Sequence, residues 1–298
     1  MVRLEGVDRL LVDEVDLGIV VVAYRSRELA LRCVESVRRE LGERSWCLAL
    51  VNNSPGDGTT QAIEALREER IVAGDAPRNL GFAAGCNRAA KMLPESCRYL
   101  LLLNPDTELR DASAAELIRY LDDHREVGIA GAQLCFEDGR LQPSARRFPS
   151  LANLFFSRRS PLSRLLPGNP GSRDYVYADR NIDLAGPVDA VAGAALAIRA
   201  GLWDKLRGMD ESFFMYGEDS DLCYRAAESG WEVHLVPAAR IHHLWGGATS
   251  SHRIAASVEH QRSLVRFLRK HGKVSRPIGW VMGGIVSIER VFFRLPGR

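Results

Sequence analysis

Cysteine is scarce and unpaired in this chain. Its six cysteines (Cys33, Cys47, Cys86, Cys97, Cys135 and Cys223) include no CxxC pair, which argues against a zinc ribbon or a disulfide frame and suggests reduced thiols in a cytosolic protein. No run reaches the ~18 consecutive apolar residues of a membrane span. Met1 to Asp16 alternates apolar and charged residues without an apolar h-region, so no signal peptide is expected. Charge of one sign is lacking too: 40 Lys and Arg against 38 Asp and Glu leave a net charge of +2, giving no bulk attraction for nucleic acid. A GxxxxGK[ST] phosphate loop and a GxSxG nucleophile elbow are both absent. The glycine-rich stretch at 78–87 is not GxGxxG, which weakens a dinucleotide oxidoreductase reading. There is no internal repeat and no low-complexity tract.

What is present is alternation. The 298 residues suffice for one large α/β domain or two small ones. Leu17 to Ala23 is a β-branched run that predicts a strand buried on both faces. Leu29, Cys33, Val34, Val37 and Leu41 then recur at helical spacing behind Ser26, an expected N-cap. Further strands are expected at 46–51, 71–72, 99–103 and 128–134, with helices near 60–67, 82–93 and 112–123 between them. This order predicts an α/β fold with a mainly parallel sheet flanked by helices. Ligands of such sheets bind beyond the carboxyl ends of the strands, so the loops after residues 24, 52 and 104 are the places to look.

Residues 136–186 break the rhythm. Arg146-Arg147-Phe148-Pro149 and Phe155-Phe156-Ser157-Arg158-Arg159 interleave arginine with aromatics, and loops this long are usually functional. Structure resumes over 188–198, with strands at 231–236 and 241–243 further on. A helix is expected over Ser220 to Ser229, and an amphipathic helix beyond Thr249. The tail from Pro277 to Pro296 mixes apolar residues with arginines; a membrane interface and packing on protein both remain open.

Three constellations carry chemistry. Glu218-Asp219-Ser220-Asp221 follows the aromatic run Phe213-Phe214-Met215-Tyr216; a carboxylate there faces the positive end of a helix dipole and suits a general base, or merely caps the helix. Asn104-Pro105-Asp106 closes an apolar strand, which sets Asp106 at the sheet edge as a ligand for Mg²⁺ or Mn²⁺, or makes the segment an ordinary turn. His243 supplies a nitrogen that suits Mn²⁺ better, or is structural. Arg78 to Asn87 opens a helix with small residues whose N–H groups suit an anionic or polar ligand.

In joint order, Val20-Val21-Val22-Ala23-Tyr24, Val51-Asn52-Asn53-Ser54, Asn79-Leu80-Gly81-Phe82, Asn104-Pro105-Asp106-Thr107, Gly193-Ala194, Met209 to Phe214, Glu218 to Leu222 and His243 resemble the rhamnosyltransferase-like branch of the family 2 glycosyltransferases. The resemblance covers roughly residues 17–250. It implies a GT-A fold, a Rossmann-like sheet with a C-terminal helical extension (251–298), and inverting transfer of a sugar from a nucleotide diphosphate. By the same resemblance, Ala23, Tyr24, Arg25, Asn52, Asn79, Gly81, Asn87, Asn104 and Asp106 form the nucleotide-sugar site. Asp106 and His243 hold a divalent cation, Asp219 is the base with Glu218 beside it, and Gly193, Ala194 and Tyr216 face the acceptor. Asp221 is expected to be a first-turn cap.

Three positions depart from the family's pattern. Asn52-Asn53 stands where Asp-Asn is usual, so an amide oxygen must meet the pyrimidine N3–H. Arg25 replaces a frequent Asn, and Asn104 replaces the first acid of the metal motif. The expected donor is dTDP-L-rhamnose, with UDP-galactofuranose or another UDP-sugar as alternatives. The expected acceptor is a lipid-linked or cell-envelope saccharide, with a small aglycone as alternative, and the expected location is the inner face of the cell membrane. The rival class is a non-catalytic sugar-nucleotide or glycan-binding protein.

Overall fold

The computed structural model describes residues 2–4, 7–9, 15–151, 175, 177, 184–244 and 253–274. The short strands β1 (Val2–Leu4) and β2 (Val7–Arg9) pair with each other. From there the chain runs β3 (Leu17–Ala23), α1 (Arg27–Leu41), β4 (Trp46–Asn52), α2 (Thr59–Glu64), β5 (Ile71–Asp75), α3 (Phe82–Met92), β6 (Tyr99–Leu103), β7 (Thr107–Leu109), α4 (Ser113–Asp123) and β8 (Val127–Cys135). It continues through β9 (Ala145–Arg146), β10 (Gly186–Pro187), β11 (Ala190–Val191), β12 (Ala195–Arg199), α5 (Ala200–Leu206), α6 (Glu218–Glu228), β13 (Glu232–His243) and α7 (Arg253–Lys270). The Phe155 to Arg159 motif and the 277–296 tail lie outside the described residues.

Burial explains the layers. Along β3 successive side chains point to opposite faces. Ile19 and Val21 join α1 (Cys33, Val34, Val37) and α4 (Leu117, Leu121) in one core. Val20 and Val22 join α3 (Cys86, Ala89, Met92), α5 (Leu202, Trp203) and α6 (Leu222, Cys223) in the other. A strand covered on both sides needs an unbroken apolar run, and β3, β4, β6 and β8 are buried throughout.

The sheet is parallel over β6-β3-β4-β5 and again between β8 and β13. Between these blocks β12 runs antiparallel to both β6 and β8. The alternation of strands and helices does not reveal this reversal. The chain leaves β8 at the carboxyl edge and enters β12 from that same edge, which makes β12 antiparallel to it. The two strands expected at 231–236 and 241–243 are one strand, β13, interrupted by a register shift between Val236 and Arg240.

Helix α6 begins at Glu218, two residues before its expected start. Gly217 precedes it with φ of 79°, a left-handed conformation that glycine adopts without strain. Helix α7 packs across α6 through Phe267, which meets Tyr224 edge-on at 5.6 Å. Phe148 packs on the same ring at 4.9 Å.

Candidate active site

All the candidate acids lie at one edge. Strands β6, β8 and β13 point the same way, so Asn104, Cys135 and His243 leave the sheet together. Strand β7 folds back to pair His243 with Thr107, and Leu244 N–H donates to Asp106 O at 2.9 Å. That hairpin brings His243 Nε2 to 3.4 Å from Asp106 Oδ1, both residues being largely shielded from water. Gln142 grips the histidine on its far side: Gln142 Nε2 donates to His243 O at 2.7 Å, and its Oε1 lies 2.8 Å from His243 Nδ1.

The Gly193-Ala194 turn ties the two acidic loops together. Gly193 N–H donates to Asp219 Oδ2 at 3.1 Å, while Ala194 O accepts from Asn104 N–H at 2.9 Å. A Cβ on Gly193 would stand 3.2 Å from Asp219 Cβ, tighter than ordinary contact, so the turn needs glycine to sit this close. Asp219 Oδ1 also accepts Ser220 N–H at 2.7 Å, and Arg146 from β9 reaches Oδ2 at 3.4 Å. The Asp219 charge in turn raises the Arg146 guanidinium further above its ordinary value.

Glu218 is the opposite case. It is buried, and its Oε2 has no hydrogen-bond partner among the described residues. Burial first, and the neighbouring Asp219 charge second, push it up to about 8. Two adjacent carboxyls thus divide into a donor-braced carboxylate at 219 and a neutral acid at 218. The folded protein therefore holds a proton on Glu218 that the unfolded chain releases near its ordinary value of 4.5. The folded state binds more protons in that range, so this group's contribution to stability falls as pH rises from about 4.5 to about 8. Glu218→Gln removes the dependence: its melting temperature relative to the native protein climbs over that window and is level below pH 4. A constant difference in a calorimetric pH series would refute the shift.

Asp221 is no cap. Wholly buried, it binds Arg225 Nε at 2.7 Å, Lys270 Nζ at 2.6 Å and His271 Nε2 at 2.9 Å. It is the knot that fastens α7 to α6.

Across the same edge, Tyr24 is exposed beyond β3 with Arg25 folded over its ring, the guanidinium 5.3 Å from the ring centre. Gly81, at φ 88°, packs where a Cβ would meet Phe214 O, and Phe82 N–H donates to that oxygen at 2.8 Å. Asn79 Oδ1 accepts Gly81 N–H at 3.0 Å and shapes this turn. The Asn79-Leu80-Gly81 turn therefore rests on the aromatic run before Glu218. Tyr216 is half-buried at φ 68°, its ring 5.7 Å from that of His260.

Two expected contacts go elsewhere. Asn52 is fully buried; its Oδ1 accepts Ser54 N–H, and its Nδ2 donates to Ser54 O, Asp57 Oδ1 and Asp75 Oδ1. The amide braces the edge rather than facing a ligand, and Asp75, opposite it in register on β5, is the acid beside it. Asn87 is taken up by Met209, whose N–H and O it binds at 2.9 and 2.8 Å. The 146–148 arginines and aromatic also turn inward: Arg146 to Asp219, Arg147 over the Tyr177 ring at 4.6 Å, and Phe148 onto Tyr224. Sequence reading missed Gln142, Asp75 and the partner of Arg146. Only Arg146 carried a signal, its place in an arginine-aromatic motif.

The profile of "Glycosyl transferase family 2" matches residues 18–176, more than half of the chain. The chain belongs to glycosyl transferase family 2. This family 2 glycosyltransferase is 28% identical over 259 residues to the N-acetylglucosaminyl-diphospho-decaprenol L-rhamnosyltransferase of Mycobacterium tuberculosis, covering 83% of each chain. It is 28% identical over 200 residues to rhamnosyltransferase WbbL of Escherichia coli K12, covering 64% of this chain and 70% of that one. Its fold resembles two solved transferases. GalNAc-T7 with UDP, GalNAc and Mn²⁺ aligns with a TM-score of 0.60 at 16% identity, over 86% of this chain and 48% of that one. The mannosyltransferase PcManGT of Pyrobaculum calidifontis with GDP-Man and Mn²⁺ aligns with 0.59 at 13%, over 98% and 79%. The glycosyltransferase thus has the GT-A architecture. No cluster of three or more metal-binding side chains occurs among the described residues. The converging oxygen of Asp106 and nitrogen of His243 nevertheless fit a hard or borderline divalent cation whose remaining ligands come from phosphate and water.

Proposed function

We propose that this glycosyltransferase moves L-rhamnose from dTDP-L-rhamnose, with inversion, onto a lipid-linked saccharide. The observation that carries the chemistry is the Gly193-Ala194 turn, which is hydrogen-bonded to the Asp219 carboxylate on one side and to the strand end bearing Asp106 on the other. That turn brings a base and a diphosphate-side acid to one edge. The donor and acceptor classes rest on the mycobacterial and enterobacterial relatives, whose names are those of rhamnosyltransferases.

Asp219 takes the proton of the acceptor hydroxyl. The hydroxyl oxygen bonds to the anomeric carbon as the bond to the diphosphate oxygen breaks, and that electron pair leaves with the nucleotide. Gly193 and Ser220 N–H hold the carboxylate in one orientation through the transfer, and Arg146 balances its charge. Neutral Glu218 adds no second negative charge beside the base. Asp106 and His243 would hold Mn²⁺ or Mg²⁺, which when bound neutralises charge on the departing diphosphate. Tyr24 and the Asn79-Leu80-Gly81 turn flank the donor pocket.

The transfer is assigned to residues 1–250 and 251–298 are assigned as an extension, of which α7 is fastened to α6 through Asp221. No described helix is long and apolar enough to cross a membrane; contact with the inner face of the cell membrane is proposed from the lipid-linked acceptor. The test supplies dTDP-rhamnose and a set of UDP-sugars with Mn²⁺, with and without a prenyl-diphospho-N-acetylglucosamine acceptor. Acceptor-dependent release of dTDP and a rhamnosylated lipid by mass spectrometry are expected. Preference for a UDP-sugar overturns the donor, and no turnover with any pair overturns the enzyme reading.

A further inference from the structure

Gln142 is almost fully buried, and its backbone is pinned from two sides. Its N–H donates to Leu134 O at 2.8 Å, and its own carbonyl accepts from Gln133 Nε2 at 2.8 Å and Ser144 Oγ at 2.9 Å. Its side chain is thereby aimed at one target, His243, which lies 101 residues away in sequence.

The two contacts on that target fix its chemistry. His243 O is a backbone carbonyl and can only accept, so the atom of Gln142 that reaches it at 2.7 Å is the amide nitrogen. The amide oxygen is then the atom at 2.8 Å from His243 Nδ1. A carboxamide oxygen cannot donate, so Nδ1 must carry the hydrogen. In the neutral ring the lone pair then sits on Nε2, which lies 3.4 Å from Asp106 Oδ1. A lone pair and a carboxylate oxygen facing each other repel, and a cation between them relieves that repulsion.

We propose that Gln142 is a positioning residue for cation binding: it locks His243 in the Nδ1–H tautomer and turns Nε2 toward Asp106. This rests on the cation reading proposed above for Asp106 and His243, and it adds the residue that makes the histidine a ligand rather than a competing donor. Partners of this kind are known to set both the tautomer and the ring orientation of metal-binding histidines.

The test begins on the full chain, free of metal and labelled with ¹⁵N-histidine. Long-range ¹H–¹⁵N correlation spectra of the neutral ring, with the His243 signals assigned by their loss in His243→Gln, are expected to show its hydrogen on Nδ1. A neutral ring with its hydrogen on Nε2 overturns the proposal without needing any variant at 142. Next, Gln142→Leu and Gln142→Asn, checked for folding by thermal melts, are titrated with Mn²⁺ in the presence of dTDP, the free ion being followed by electron paramagnetic resonance. Mn²⁺ affinity is expected to fall about 10–100-fold, and the His243 ring is expected to lose its single tautomer. Unchanged affinity and an unchanged tautomer in a folded variant overturn the role of Gln142 while leaving the cation site standing. If Mn²⁺ fails to broaden the His243 signals of the native protein, the cation reading itself falls, and the metal-free spectra still decide what Gln142 does.

Discussion

Asp219→Asn lowers kcat by about a thousandfold and leaves the affinity for dTDP-rhamnose unchanged. A positioned base typically contributes 10²- to 10⁴-fold. The amide is isosteric, and its one oxygen placed at Oδ2 keeps the Gly193 N–H bond that joins the two acidic loops, while the Ser220 N–H loses its acceptor. What is lost is the capacity to take the acceptor's proton and a charge to balance Arg146. The neighbouring carboxyl is no substitute, because burial, the larger cause of its raised value, stays in place when the Asp219 charge is removed. Initial rates with saturating acceptor give kcat, and calorimetric titration of donor gives the affinity. Transfer within tenfold of the native rate would remove Asp219 from the base role. A matched loss of donor affinity would make the residue structural.

Asp221→Ala destabilises the protein by about 3 kcal/mol, the low end for removing one partner of a buried ion pair. The low end applies because Lys270, one of the groups stranded, keeps 30% of its side chain exposed. Three donors lose one acceptor: Arg225, Lys270 and His271. Burial holds His271 below its ordinary value, so the ring is neutral at pH 7 and donates through Nε2–H. The consequence reaches the active site, because α7 also braces the aromatic run: Ser263 Oγ donates to Met215 O at 3.0 Å, and Lys270 Nζ binds Asp210 at 2.7 Å. Urea denaturation at pH 7 checks the loss. A change under about 1 kcal/mol, the ordinary size of a surface pair, would show that the knot carries no net stability.

The sheet edge was legible where chemistry depends on runs and spacings. Strands β3, β4, β6 and β8 are largely apolar and buried along their whole length because helices cover both their faces, and that pattern needs no partner to be recognised. The placement of Asp106 at a strand end follows from the same rule. The order of short motifs also sufficed to anticipate the family, since those at Tyr24, Asn52, Asn104 and His243 stand at the ends of strands.

The rest depends on which residues meet. Asn52 and Asn87 have residue types suited to ligand contact, yet their amides are consumed by Asp75 and Asp57 in one case and by Met209 in the other. Nothing local distinguishes an amide that faces a pocket from one that closes a loop. Glu218 and Asp221 flank Asp219 in a single helical turn, but one is buried with its Oε2 unpartnered among the described residues and the other meets three donors, Arg225 of α6, Lys270 of α7 and His271 just beyond it.

By itself the sequence determined the layered α/β framework, the edge where function must lie and the acids available there, because periodic burial and strand exits are local properties. Only the tertiary structure decided how those acids are used. Protonation, tautomer and orientation follow from the charges and donors that surround a group, and Arg146, Gln142, Gly193 and Lys270 reach their targets from distant parts of the chain.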